Sequence, residues 1–293
     1  MTTLSESAPA KINLTLKVLG RRDDFYHELE SLVAFAGLGD VVELEPSITL
    51  GLAVEGAFAD ALSGDNLIIA AAHAASVVVP GLRLGRFRLV KNLPVAAGLG
   101  GGSADAAAAL RLIARANGGA LTDAAMAELA VKLGSDVSVC LKSRPALMTG
   151  RGELVRLVRG FPSCGVLLAN PGLPLATASV YAALDAEPLA ASPARGAEPP
   201  DFAASFEKLV DYLATRGNDL ETAATRLAPA IRDVLTALRA SKGARIARLS
   251  GSGPTCFALF ATEDEAKHGA EALANSHPAW WIAASTLGAT TGS

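Results

Sequence analysis

The stretch that most restricts the fold is "VAAGLGGGSADAAAALRLIARA", residues 95 to 116. Gly98, Gly100, Gly101 and Gly102 crowd into five positions and run through Ser103 into strong helix formers, which stop at Asn117-Gly118-Gly119. The preceding "GRFRLVKNLP" (85 to 94) reads as a strand. A glycine loop bracketed so closely by a strand and a helix is not a flexible linker. Glycines let backbone N–H groups approach an anion, and a helix N-terminus adds about half a positive charge, so the segment predicts a phosphate cradle. A Walker loop is excluded because Gly102-Ser103-Ala104 supplies no lysine. A dinucleotide fingerprint is disfavoured, since its third glycine falls at Ser103 and no second strand with an acid follows at 117 to 125. Asp105, just inside the helix, is expected to point away from a phosphate or to share a cation with it.

Composition narrows the class. The 293 residues are 51% hydrophobic and 19% charged, which suits a globular chain of two domains. The net charge is −3 and neither sign forms a block, so the basic stripe of a nucleic-acid partner is missing. Cys140, Cys164 and Cys256 lie too far apart for a metal pair or a disulfide framework and read as buried thiols. "MTTLSESAPAKINL" has no basic head followed by an apolar run, and the uncharged stretch 160 to 184 is broken by Pro162, Pro171 and Pro174. No secretory signal and no membrane span are expected, and the location expected is cytoplasmic.

Along the chain, "KINLTLKVLG" (11 to 20) alternates as one half-buried strand, with Lys11, Asn13, Thr15 and Lys17 on its polar face. "VVELEP" (41 to 46) reads as a short strand after a turn at Gly39-Asp40, and 66 to 79 as a helix stopped by Pro80-Gly81. Thr122 caps a helix ended by Gly134, with Leu121 and Met126 spaced as a hydrophobic staple; "SDVSVCL" is then expected to be a buried strand with Asp136 at its start. Residues 164 to 171 form a core strand, and the proline- and alanine-rich 184 to 201 a long surface connection. Helices at 202 to 215 and 228 to 241, a strand–turn–strand at 245 to 260, a helix at 263 to 275 and a strand at 279 to 284 complete an α+β chain.

Three stretches in order, "PAKINL" (9 to 14), "LPVAAGLGGGSADAAAAL" (93 to 110) and "SGSGPTCFALF" (250 to 260), resemble the signatures of the GHMP small-molecule kinases, named for galactokinase, homoserine kinase, mevalonate kinase and phosphomevalonate kinase. "GRRDDFYHELESL" (20 to 32), "DNLI" (65 to 68), "LGSDVSVCL" (133 to 141) and "GRGE" (150 to 153) resemble one branch of that family. That branch phosphorylates the 2-hydroxyl of 4-diphosphocytidyl-2-C-methyl-D-erythritol in non-mevalonate isoprenoid precursor synthesis. The resemblance spans nearly the whole chain and is weakest from 184 to 245. It implies a two-domain fold, with an N-terminal domain (1–155) like ribosomal protein S5 domain 2 and a ferredoxin-like C-terminal domain (156–293). Another GHMP kinase such as homoserine kinase, and a non-catalytic nucleotide-binding regulator, are the alternatives.

The resemblance also implies residue roles. Lys11 and Asp136 match the catalytic lysine and aspartate. Pro94, Val95, Ala96, Ala97, Gly98, Leu99, Gly100, Gly101, Gly102, Ser103 and Ala104 match the ATP phosphate loop, and Asn66, Leu67 and Lys91 lie where the family builds its adenine pocket. Asn13, Tyr26, His27 and Tyr181 match positions that hold the cytidine end or the hydroxyl of a cytidine diphosphate-linked methylerythritol. ATP and Mg²⁺ are the implied cofactors, and Ser103, the only hydroxyl in the loop's final turn, is the candidate for the magnesium shell. Phosphoryl transfer requires alignment and charge neutralisation more than covalent chemistry, which suits this set. Nothing local separates Lys11 from Lys17. Two positions depart from the family's pattern: Phe25 stands where glycine is usual in Asp-Gly-Tyr-His, and Ser138 where proline is usual.

Overall fold

A computed structural model describes residues 2–189 and 197–288. In chain order its elements are β1 (Leu4–Asn13), β2 (Lys17–Arg21), β3 (His27–Glu45), β4 (Gly51–Glu55), α1 (Leu67–Val78), β5 (Arg86–Val90), α2 (Gly101–Ala116), α3 (Asp123–Leu133) and α4 (Val137–Lys142). There follow β6 (Ala146–Gly150), β7 (Leu154–Leu157), β8 (Cys164–Asn170), α5 (Thr177–Leu184), α6 (Phe206–Ala214), α7 (Leu220–Leu227), α8 (Ala230–Ala240), β9 (Ile246–Leu249), β10 (Cys256–Phe260), α9 (Glu263–Ser276) and β11 (Trp281–Leu287). The expected surface connection 184 to 201 lies partly outside the described residues.

The chain forms two compact units. The first comprises Met1–Ala10, Gly39–Val95 and Gly100–Ser143; the second Lys11–Leu38, Ala96–Leu99 and Arg144–Ser293. In the first unit β5 pairs antiparallel with the end of β3 (Val41 opposite Val90) and parallel with β4. Helix α2 is buried on all sides from Ala104 to Leu110, and its run of alanines lets α1 and α4 approach closely. Thr122 accepts from the Ala125 amide at the start of α3, and Gly134 ends that helix, as its sequence predicts.

In the second unit the strand order β11–β8–β10–β9 is all antiparallel, and the chain runs strand, helices, strand, strand, helix, strand. This is the ferredoxin-like arrangement, with α8 and α9 packed on the sheet over a core that includes Leu167, Val234, Leu235, Leu249 and Phe260. Strand β3 pairs with β2, β6 and, at Ala36, β11. Cys140, Cys164 and Cys256 are buried and none forms a disulfide; burial pushes the Cys164 thiol up to about 12, which leaves it protonated and unreactive.

Three local expectations are corrected. Gly39-Asp40 is not a turn, because β3 runs straight through it. A Cβ on Gly39 would lie 2.3 Å from the Ala8 carbonyl oxygen and 2.6 Å from Pro9 Cα, so glycine permits a close strand approach there. Residues 11 to 20 are two strands rather than one. The Leu14 and Thr15 amides converge on the Leu32 carbonyl, which interrupts the ladder, and Lys11, Asn13 and Thr15 are buried along with the apolar face. Residues 137 to 142 are helical: the Cys140 amide donates to the Asp136 carbonyl (3.0 Å) and Val137 to Gly134 (3.0 Å). A short apolar run bounded by turn residues has no periodicity with which to tell a strand from one buried helical turn. Position 138 is the second residue of that helix, where an amide has no intrahelical acceptor and proline is tolerated.

Candidate active site

The glycine loop is assembled from close backbone approaches. Gly98 and Gly100 have φ of +74° and +63°, the left-handed region that side chains disfavour. Gly100 is the N-cap of α2, so the amides of Gly101, Gly102 and Ser103 open the helix without intrahelical acceptors. Gly102 is exposed and Gly101 and Ser103 are half-buried, an arrangement that offers donors to an anion.

Residues 96–99 of the loop belong to the second unit and are pinned there by the second glycine turn, Ser250 to Pro254. The Ser250 hydroxyl donates to the Gly98 carbonyl (2.9 Å) and the Thr255 amide to Ala97 (3.2 Å). A Cβ on Gly98 would sit 2.4 Å from the Ser250 carbonyl oxygen. Asn218 donates to the Leu249 and Gly251 carbonyls (2.9 and 2.7 Å) and holds that turn in its own shape. Lys11 is 4% exposed and its amide donates to the Leu99 carbonyl (2.8 Å), whereas Lys17 is exposed; the fold thus separates two lysines that share one face in the sequence. Two residues on, the Asn13 amide donates to Ser250 Oγ (3.2 Å), its side chain donates to Ser31 Oγ (2.7 Å), and Ser31 donates to the Thr15 carbonyl (2.5 Å).

Also in the second unit, the hairpin between β2 and β3 carries Phe25, which is 86% exposed at φ +67°, and Tyr26, 52% exposed with the Arg151 guanidinium 4.8 Å from its ring centroid. A bulky residue at positive φ is strained, and glycine would relax it. The rings of His27 and Tyr181 lie 4.8 Å apart, tilted by 31°, so two residues distant in sequence form one aromatic face. Burial, then the neighbouring charge of Arg21, holds the His27 imidazole below its ordinary value of 6.5. It is therefore neutral at physiological pH, able to donate at one nitrogen and accept at the other.

In the first unit, Asn66 caps α1 by accepting from the Ile68 amide (2.8 Å), and Leu67 follows it with Cδ1 3.6 Å from a Cβ built on Gly102. Asp136, half-buried, is the N-cap of α4. Lys91 is 2% exposed, and its ammonium donates to Asp40 Oδ2 (2.5 Å) and Asp105 Oδ2 (2.8 Å). Burial lowers the Lys91 pKa, but the charges of Asp105 and Asp40 outweigh it and the net shift is upward. Asp105 is pushed up from the carboxylate range by burial; Lys91 pulls it down and Asp40 raises it again, because one cation serves two acids. The cation that Asp105 shares is Lys91, and it shares it with Asp40. Sequence reasoning missed Asp40, Ser250 and Asn218, and no local signal marks them, since each acts through a partner more than thirty positions away.

Residues 66–144 match the family model described as GHMP kinases N terminal domain, and 201–279 the one described as GHMP kinases C terminal. The chain belongs to the GHMP kinases. It is 50% identical to a protein of Methylobacterium radiotolerans named 4-diphosphocytidyl-2-C-methyl-D-erythritol kinase, over 98% of this chain and 100% of that one. A protein of the same name from Bradyrhizobium diazoefficiens is 47% identical, over 98% and 99%. Among solved structures, a 4-(cytidine 5'-diphospho)-2C-methyl-D-erythritol kinase matches with a TM-score of 0.75 at 33% identity, covering 98% of this chain and 100% of that one. Homoserine kinase from Cytophaga hutchinsonii matches at 0.69 with 17% identity, covering 98% and 95%, and shares the fold. No helix among the described residues is long and apolar enough to cross a membrane.

Proposed function

We propose that the chain transfers the γ-phosphoryl group of ATP to the 2-hydroxyl of 4-diphosphocytidyl-2-C-methyl-D-erythritol, giving the 2-phosphate and ADP, as a step in non-mevalonate isoprenoid precursor synthesis in the cytoplasm. The observation that carries this reading is full-length identity of about half to relatives named for that substrate. The aromatic pair His27–Tyr181 supports it by offering a face to a pyrimidine. We also keep a functional division at 155/156, since the two matched regions fall on either side of it.

Residues 94 to 104 hold the ATP phosphates, with Asn66 and Leu67 toward the adenine; the Lys91 ammonium, buried between Asp40 and Asp105, does not reach the nucleotide. Asp136 takes the proton of the 2-hydroxyl as its oxygen bonds to the γ-phosphorus and the bond to the β–γ bridging oxygen breaks. Lys11 stabilises the negative charge that develops on the attacking oxygen. Asn13, Tyr26, His27 and Tyr181 hold the cytidine end or the hydroxyl of the substrate. Mg²⁺ supplies charge neutralisation on the phosphates when bound. Among the described residues no cluster of three acids, histidines or cysteines could hold a metal alone, and Asp105 is engaged with Lys91. A cation that arrives with the nucleotide and takes the Ser103 hydroxyl fits this donor set, because Mg²⁺ keeps several waters and needs few protein ligands.

A coupled ADP-release assay tests the reading. ADP should appear with the cytidylated substrate and not with homoserine or other small alcohols; release with homoserine would favour that kinase instead, and ATP affinity without any substrate-dependent release would favour a regulator. In the same assay Asp136→Asn should cut turnover by about 10² to 10⁴ with ATP affinity nearly intact. Near-normal turnover would remove Asp136 as the base.

A further inference from the structure

Glycine brings the loop close to an anion but leaves it without side chains to stiffen it. Lys91 fills the space that a side chain at Gly101 would take: a Cβ there would lie 3.1 Å from Lys91 Nζ and 3.4 Å from Asp40 Oδ2. The ammonium thus packs against the backbone of the first residue of α2. Asp40 Oδ1 in turn accepts from the Asn92 and Leu93 amides (2.6 and 2.8 Å), on the segment entering the loop, while Asp105 belongs to the helix leaving it. One ammonium and two carboxylates therefore tie the entry of the loop to its exit.

Stability alone does not account for this cluster. Desolvation commonly cancels the attraction within a buried ion pair, and the second acid makes matters worse, since Asp105 Oδ1 is buried with no hydrogen-bond partner. What the cluster supplies is direction. We propose that Lys91, gripped by Asp40 and Asp105, is a positioning residue of the phosphate loop, setting where the first amides of α2 point and through them the affinity for ATP. Its ammonium acts on the loop backbone and not on the nucleotide. The inference rests on the reading that residues 94 to 104 hold the phosphates.

The test compares Asp105→Ala, which cuts the tie to α2 but leaves Lys91 paired with Asp40, with Asp105→Asn, which keeps an oxygen for Lys91. Without nucleotide, Asp105→Ala should speed hydrogen exchange of amides 100 to 104 about tenfold and leave 110 to 116 unchanged. Its KM for ATP should rise about tenfold while KM for the alcohol stays within about twofold, and Asp105→Asn should recover most of both effects. Unchanged exchange, equal rises in the two KM values, or no recovery in Asp105→Asn would overturn the proposal. Lys91→Arg is read alongside, in case Asp105→Ala does not fold: its bulkier fork, overpacked against Gly101, should raise KM for ATP well beyond any rise in KM for the alcohol, and an unaltered KM for ATP counts against the idea. ATP added to the parent protein should protect 98 to 104 from exchange. Absence of that protection would sink the phosphate-loop reading itself, separately from the nucleotide-free result.

Discussion

Two buried polar clusters, one in each compact unit, hold the two halves of the glycine loop by different means. In the first unit the cluster is charged and unbalanced, one ammonium between two carboxylates, with one oxygen unsatisfied. The second unit uses neutral groups, Asn13, Thr15, Ser31 and Ser250, in a chain of hydrogen bonds that also includes the Leu32 amide donating to Thr15 Oγ1 (2.9 Å). Removing one member of a charged cluster strands a buried ion, whereas removing one member of a neutral chain strands at most a dipole. The clusters therefore differ in how they fail.

The largest expected effect comes from Lys91→Met, which leaves Asp40 and Asp105 without their cation and should lower unfolding free energy by about 3 to 5 kcal/mol, read by urea denaturation. Neutralising both acids as well, with Asp40→Asn and Asp105→Asn, should recover much of the loss; if it does not, the damage is not electrostatic. Gly98→Ala comes next. Its methyl group would meet the Ser250 carbonyl at 2.4 Å on a left-handed backbone, so a loss of about 1 to 3 kcal/mol with weaker ATP binding is expected, measured by denaturation and calorimetry. Ser31→Ala should cost about 1 to 2 kcal/mol in Tm-derived stability, because Asn13 Nδ2 loses its acceptor and the Thr15 carbonyl its donor. A loss as large as that of Lys91→Met would erase the distinction between the clusters.

The smallest effect concerns His27. Its folded value lies below the ordinary 6.5, so between the two values the unfolded chain binds more protons than the native one. The contribution to stability is present above 6.5 and is lost as pH falls through the folded value. The ring is only half-buried, which keeps the effect small. An NMR titration should place the His27 midpoint below 6.5 and Arg21→Gln should raise it, although by less than removal of the ring's burial would.

Much of the site's local frame was legible in the chain itself. The strand, glycine loop and helix at 86 to 116, the Thr122 cap, the Gly134 stop and the hairpin around Ser250 to Pro254 all depend on neighbours within a few positions, where turn chemistry and helix propensity act. Less legible was any element whose form depends on distant partners. The turn expected at Gly39-Asp40 became mid-strand because Ala8 and Pro9 pass against Gly39, and the strand expected after Asp136 became a helical turn. Residues 11 to 15, whose alternation predicts a half-buried strand, are buried on both faces, because Ser31 and Ser250 supply polar partners from β3 and the second glycine turn.

The sequence by itself determined that this chain carries a glycine loop running into a helix start and, through motifs in a fixed order, the GHMP kinase fold. Only the tertiary structure decided which polar groups are withdrawn from water: that Lys11 is buried and Lys17 is not, that Lys91 is neutralised by Asp40 and Asp105, and that His27 meets Tyr181. The physical reason is range. Backbone preference is set by adjacent residues, while the cost of burying a charge or a dipole is settled by whichever partner the fold brings within hydrogen-bond distance.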